Sequence, residues 1–290
     1  MKDKLRGSII VVTRNRSAIL EEMLNETRKQ AGYRDFEVIV ANDGGEIDIK
    51  RNLEGTFPEI KFINFLKQEG YIGLRSRLFK EARAEVVFFL DDDSWFEEEH
   101  ALMRAVRIFE EYPQAGILSF GVRLPNDRTI PQSLTGTVPY RVASYMGCAH
   151  AVRKVFFENN DIYDADYFRQ GEERDLAIKC LDKNYEILQV NSIIVYHRQV
   201  ALNRDHQFIH GYAFRNELFF YLKYFPAIPC GIFMLKCIAS HSIFCFKKGW
   251  FAAYFFGLKK FINDFFKFLK KRKPVKMATV KKYIYLKKQI

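Results

Sequence analysis

No two of the five cysteines (Cys148, Cys180, Cys230, Cys237 and Cys245) stand in a C-x-x-C pair. That spacing argues against a disulfide framework and against structural zinc. No signal-peptide pattern precedes the first apolar run, and the joint expectation is a reducing, cytosolic setting with the cysteines as small buried hydrophobes. No G-x-G-x-x-G follows that run and no Walker A sequence occurs, so dinucleotide and P-loop chemistry lack support. Acid is scarce at one end only: from Phe225 to Ile290 a single acid, Asp264, faces fifteen Lys and Arg. The net charge of +11 therefore describes a nearly neutral globule with a cationic tail, and the whole-chain balance says little about the globule.

What is present reads as one large core plus an appendage, within 290 residues. Ser8–Thr13 (SIIVVT) is a short β-branched run suited to a strand buried on both faces. Ser17 is placed to cap a helix whose Ile19, Leu20, Met23 and Leu24 share a face. Phe36–Ala41, Lys61–Phe65, Glu85–Leu90, Ala115–Phe120 and Ser192–Tyr196 are further strands; Gly73–Ala84 and Glu97–Tyr112 are helices, the second with acids in its first turn. This alternation predicts a mostly parallel α/β sheet with right-handed crossovers.

Ligands of such sheets bind beyond the carboxyl ends of the strands. Three polar turns stand there: Thr13-Arg14-Asn15, Asn42-Asp43-Gly44 and Asp91-Asp92-Asp93. Adjacent carboxylates repel unless a cation or donors offset them. Asp91 and Asp93, two residues apart on extended chain, can converge while Asp92 points elsewhere. Hard oxygen ligands of this kind suit Mg²⁺ or Mn²⁺ completed by phosphate oxygens. Asp43 is placed to accept from a base or ribose, and Arg75 to reach a diphosphate. Gln170–Leu188 holds a second acidic group, Glu172, Glu173 and Asp175, in the first turn of a helix with an apolar face at Leu176, Ala177, Cys180 and Leu181. His197 follows a strand and can ligate a metal as a neutral imidazole. Read singly, each of these groups has a structural alternative: a solvated turn, a surface arginine, acids that complement a helix dipole.

Taken together, five blocks in order resemble the inverting family 2 glycosyltransferases of the Rossmann-like GT-A fold, over roughly Leu5 to Pro226. VVTRNR resembles the first-strand block, and VIVANDGG resembles VVDDGS with Asn42 in place of its first acid. GLRSRLFKEARAEVVFFLDDDS resembles ARNxGxxxAxGxxxxFLDxDD, keeping Arg75 but with Ser76, Leu78 and Ala84 replacing an Asn and two Gly. FRQGEERDLAIKCLDKNYEI resembles YGEDxDLxxRxxxxGYxI, and VYH the late histidine block. The resemblance implies that Thr13, Asp43 and Arg75 hold the nucleotide, with Asp91 and Asp92 near its ribose and metal. It implies Asp93 as ligand of Mn²⁺ or Mg²⁺ on the diphosphate, with His197 as a second ligand. Glu173 falls where the family carries its catalytic base, with Glu172 and Asp175 as the fallbacks. The implied substrates are a nucleotide-sugar donor of the UDP or dTDP type and a glycan or lipid-linked acceptor. The alternative is a catalytically degenerate GT-A module that partners another transferase. Sugar and acceptor choice belong to loops such as Arg123–Arg141.

The tail divides the chain at residue 224 into a catalytic domain, 1–224, and a basic aromatic helical region, 225–290. Phe225–Phe246 is mostly apolar but interrupted by Pro226, Pro229, Lys236 and His241, which disfavours a bilayer span. In Lys247–Lys273 the residues Phe251, Tyr254, Phe255, Leu258, Phe261, Ile262, Phe265, Phe266 and Leu269 fall at helical spacing, with Lys259, Lys260, Lys267 and Lys270 between them. That pattern predicts an amphipathic helix on an anionic membrane surface, at the cytoplasmic face and peripheral or monotopic. The aromatics share the apolar stripe, so none is placed to stack on bases, and no nucleic acid is expected.

Overall fold

A computed structural model describes residues 5–127, 138–157, 162–199 and 205–289. The strands are β1 (Gly7–Thr13), β2 (Phe36–Asp43), β3 (Lys61–Phe65), β4 (Val86–Asp91), β5 (Ser94–Phe96), β6 (Ala115–Arg123), β7 (Tyr140–Arg141), β8 (Ala149–Arg153) and β9 (Glu186–His197). They form one sheet in the order β3-β2-β1-β4-β8-β6-β9-β5, with β7 also on β9. Around it lie α1 (Ser17–Arg28), α2 (Ile49–Leu53), α3 (Tyr71–Glu81), α4 (Ala101–Glu111) and α5 (Glu172–Asp182). The chain ends in α6 (His206–Tyr224), α7 (Ala227–Lys248), α8 (Phe251–Lys270) and α9 (Met277–Lys287).

The central strands read as unbroken apolar runs because both faces are covered. On β1, Ile10 enters the cluster under α3 and α5, while Ile9 and Val11 enter the one under α1, α2 and α4. On β4, Val87 and Phe89 take the first side, and Val86, Phe88 and Leu90 the second.

The expected mostly parallel sheet is corrected to a mixed one. β1 pairs parallel with β2 and β4, β2 with β3, and β6 with β9. β8 inserts antiparallel between β4 and β6, β5 and β7 both run antiparallel to β9. Two antiparallel steps across β8 leave β6, and hence β9, running with β4, so the carboxyl ends of β1, β2, β4 and β9 meet at one edge.

Three local expectations also change. The residue capping α1 is Arg16, which makes no side-chain cap bond, and Ser17 is the first helical residue. α4 starts at Ala101 rather than Glu97, so its first turn holds no acid; Glu97 and Glu98 pair with Arg123 and Arg104 instead. The Gln170–Leu188 segment is helical only to Asp182, and Glu186–Leu188 already belongs to β9.

The tail is packed against the globule. α8 buries Ala253, Gly257, Phe261 and Phe268, and its closest approach is to α6, where a Cβ added at Gly257 would stand 2.5 Å from the Gly211 carbonyl oxygen. Phe219 stacks on Phe268 with ring centroids 3.8 Å apart. Phe268, Val280 and Tyr283 share one hydrophobic cluster with Leu176, Phe214 and Phe219. One of the lysines expected to face a membrane, Lys267, pairs with Asp166 at 2.7 Å, and its neighbour Lys271 pairs with Asp164 and Asp166 at 2.8 and 2.6 Å. α7 is held by one narrow seam in which only Cys230, Cys237 and Cys245 are buried. All five cysteines are buried thiols.

Candidate active site

The β1 and β4 ends are in register, Val12 beside Asp91 and Thr13 beside Asn42, which brings the three polar turns together. They form the floor of a cleft of about 1010 Å³ lined by Thr13, Arg16, Asp43, Tyr71, Arg75, Asp91, Asp92, Asp93, Glu172, Glu173 and His197, among others. Of the residues singled out from sequence, Asp175 alone stays outside this cleft. It is fully buried, pairs with Lys179 at 2.5 Å and Lys223 at 3.1 Å, and accepts from the Tyr224 hydroxyl at 2.5 Å. These partners hold its carboxyl below the usual range against the penalty of burial.

The triple aspartate is divided between cations. Arg75 donates to Asp91 Oδ1 at 2.7 Å and to the carbonyls of Leu90 and Gly147 at 3.2 and 3.0 Å. Its terminal nitrogens are thus already engaged by the protein, and it props the floor of the cleft. Asp92 accepts from Thr13 Oγ1 at 2.6 Å and from Arg16 at 2.5 Å; Arg16 also reaches Asp93 Oδ2 at 2.8 Å. Burial outweighs those donors at Asp92 and pushes it up to about 7. At Asp93 burial is overcome by His197 and Arg16, and the carboxyl is held below its ordinary value. Arg16 was not singled out from sequence; the signal was a guanidinium one turn beyond β1, long enough to fold back over the strand end.

Asp43 accepts from the backbone N–H of Glu69 at 2.7 Å and of Gly70 at 3.1 Å. Burial still raises its pKa above the usual carboxylate value. Across the cleft, Tyr71 donates to Glu172 Oε1 at 2.8 Å, while Glu172 Oε2 is buried with no hydrogen-bond partner among the described residues. Burial, then repulsion from Glu173, pushes Glu172 up to about 8, and burial raises Glu173 as well. The Glu173 side chain is partly open to the cleft and lies over Gly147, where an added Cβ would stand 2.7 Å from its Oε1.

The donor set fits a divalent cation. His197 Nε2 is buried and makes no hydrogen bond among the described residues, standing 3.3 Å from Asp93 Oδ1 and 3.9 Å from Asp91 Oδ2. Asp91 and Asp93 therefore converge on His197 while Asp92 turns to Thr13, as their spacing suggests. Asp91, Cys148 and His197 also bring ligand atoms within 4.8 Å of one another. Burial raises the Cys148 thiol pKa in the metal-free protein, and the two carboxylates beside His197 supply the oxygen ligands that Mg²⁺ and Mn²⁺ prefer.

The sequence profile described as glycosyl transferase family 2 matches residues 8–157. The chain belongs to that family. It is 30% identical over 172 residues to the uncharacterized glycosyltransferase YwdF of Bacillus subtilis, covering 56% of this chain and 63% of YwdF. It is 36% identical over 90 residues to the GalNAc(5)-diNAcBac-PP-undecaprenol beta-1,3-glucosyltransferase of Campylobacter jejuni, covering 30% of this chain and 29% of that protein. The chain thus spans less than two thirds of either relative. In fold it is similar to the mannosyltransferase PcManGT from Pyrobaculum calidifontis, solved with GDP-Man and Mn²⁺, with a TM-score of 0.62 at 15% identity over 91% of this chain and 88% of that one. The family match ends at Phe157, so Glu172, Glu173 and His197 are joined to it by the geometry of the cleft.

Proposed function

We propose that the protein is a metal-dependent inverting glycosyltransferase. It moves a sugar from a UDP- or dTDP-sugar to a hydroxyl of a glycan or lipid-linked acceptor in cell-envelope polysaccharide synthesis. One observation carries the reading: the carboxylates of β2, β4 and α5 line a single cleft with a partner-poor histidine. Thr13, Asp43, Asp91 and Asp92 form the nucleotide end, with Arg75 fixing Asp91. Asp93 and His197 would hold Mn²⁺ or Mg²⁺, and a cation there would offset the charge that develops on the departing diphosphate. Glu173, open to the cleft, takes the proton of the attacking hydroxyl. A base and a leaving group on opposite faces of the sugar give inversion in one displacement. The PcManGT complex with GDP-Man and Mn²⁺ supports a nucleotide-sugar donor accompanied by a divalent cation. The lipid-linked target in the name of the Campylobacter relative supports the class of acceptor.

The purified chain with Mn²⁺ or Mg²⁺ is expected to release nucleoside diphosphate from one member of a nucleotide-sugar panel, and to stop when the metal is chelated. Absence of turnover with every donor, despite metal-dependent donor binding in a thermal-shift assay, would favour the degenerate module.

The Arg123–Arg141 segment assigned to acceptor choice includes 128–137, which lie outside the described residues. Its near end, at Leu124 and Asp127, does border the cleft.

Our reading also places the chain on the cytoplasmic membrane face. α7 is 22 residues long, about 33 Å at ~1.5 Å per residue, long enough to cross a bilayer. Crossing would strip its cysteine seam from the fold, so the favoured arrangement is a helix lying in the interface. Ile228, Leu235 and Phe246 of α7 are 78%, 70% and 73% exposed, and Phe255, Ile262 and Phe266 of α8 are exposed beside Lys259, Lys260 and Lys270. Because α8 packs on α6, surface substitution tests this better than truncation. Ile228→Ser, Leu235→Ser and Phe246→Ser together should weaken sedimentation with phosphatidylglycerol-containing vesicles by at least about 10³-fold, given ~1.5–3 kcal/mol for each of three buried side chains. Unchanged sedimentation would refute the placement.

A further inference from the structure

Asn216 of α6 is far from the acids in sequence and is 1% exposed. Its Nδ2 lies 2.8 Å from the Tyr167 carbonyl oxygen, 2.7 Å from that of Arg169 and 2.6 Å from that of Gln170. A carboxamide carries two N–H hydrogens, so three acceptors share two donors at one point. The amide is itself held, its Oδ1 accepting from Arg215 at 2.7 Å. The same guanidinium donates to the Asp166 carbonyl and pairs with Asp264 of α8, each at 2.5 Å.

The clamped turn is strained. Phe168 and Gln170 have φ of 56° and 67°, ahead of Gly171 at 95°. Side chains in the left-handed region persist only where the surroundings over-determine them. This turn ends where α5 begins, at Glu172. Its Gln170 N–H also donates to the Tyr71 hydroxyl oxygen at 3.2 Å, and that hydroxyl donates to Glu172.

We infer that Asn216 is a positioning residue: by drawing three carbonyls to one amide it locks the 167–171 turn and so fixes Glu172 and Glu173 in the cleft. This rests on the reading of Glu173 as the base. A buried asparagine that merely stabilised the fold would change melting temperature without changing the rate of the folded molecule.

The test compares Asn216→Asp, which keeps the shape and loses the donors, with Asn216→Ala in the full chain. In the folded variants kcat should fall about 30- to 100-fold with donor KM within about 3-fold, the cost of a carboxylate displaced by a fraction of an ångström. Amide hydrogen exchange over 167–173 should quicken at least ~10-fold while β1, β2 and β4 keep wild-type protection. Folded variants with wild-type kcat and exchange would overturn the inference. Tyr71→Phe cuts the link to Glu172 and leaves the clamp intact, so it serves if both Asn216 variants fail to fold. It should lower kcat about 10-fold at unchanged KM, and an unaltered kcat there would equally count against the proposal. If the wild-type chain turns over no nucleotide-sugar, the glycosyltransferase reading fails by itself. Exchange then still decides the clamp, and unchanged protection in Asn216→Asp removes it.

Discussion

Glu173→Gln is expected to leave donor binding measurable and to cut turnover by about 10²–10⁴-fold, the usual worth of a positioned general base. Glutamine keeps the volume and the hydrogen-bonding reach of the side chain but cannot take a proton. Glu172→Gln separates the two carboxylates. It imitates the protonated acid that burial already favours at Glu172, whose pKa is pushed up to about 8, so it should cost far less turnover. A base works only when ionised, and both members of the pair are raised above the ordinary glutamate value. Turnover by the wild type should therefore be lost as pH falls, at a higher pH than an ordinary glutamate would give, and should recover as pH rises. The acid limb belongs to the pair, since coupled carboxylates titrate together. In Glu172→Gln one charge is removed from the pair, repulsion falls, and the limb should move to lower pH. A larger loss in Glu172→Gln than in Glu173→Gln would move the base to Glu172.

Much of this arrangement was legible in the chain because strand ends announce themselves. Apolar β-branched runs that stop at Thr13, Asp43 and Asp91 locate an edge without tertiary information, and residue parity along an extended segment was enough to send Asp91 and Asp93 one way and Asp92 another. Three features were not legible for identifiable reasons. β8 is five residues with His150 and Arg153 among them, too short and too polar to announce a strand, yet its insertion makes the sheet mixed. Arg16 looked like part of a polar turn, because nothing local reveals that a guanidinium folds back to bridge two aspartates. Asp175 looked interchangeable with its neighbours; its partners Lys223 and Tyr224 come from α6, almost fifty residues away.

The tail shows the same division. Helical spacing correctly announced an amphipathic α8, but spacing cannot say what covers the apolar face. The deciding residues are small: Ala253 and Gly257, four apart, admit the α6 backbone. Lys267, which read as a membrane ligand, found Asp166 first. Solvent-exposed lysine pairs of this kind contribute about 0–1 kcal/mol each, and here they tie α8 to the segment that leads into α5.

The metal end gives the second large effect. Asp93→Asn should reduce turnover by at least about 10³-fold and weaken Mn²⁺-dependent donor binding, because it removes a charge that a divalent ion needs and that neighbouring groups cannot replace. The change should be far smaller for apo stability, since asparagine can still accept from Arg16. His197→Ala should act in the same direction but less, removing a neutral ligand. If Asp93 and His197 served only to anchor Arg16 and β5, both variants would lower the melting temperature while leaving the metal dependence of donor binding as in the wild type. Measuring donor affinity across a Mn²⁺ titration separates the two cases. A lost ligand shifts the metal concentration at half-saturation, whereas a lost brace leaves that midpoint in place. An unshifted midpoint in Asp93→Asn would take the cation away from this corner of the cleft, and with it the role given to the aspartate run.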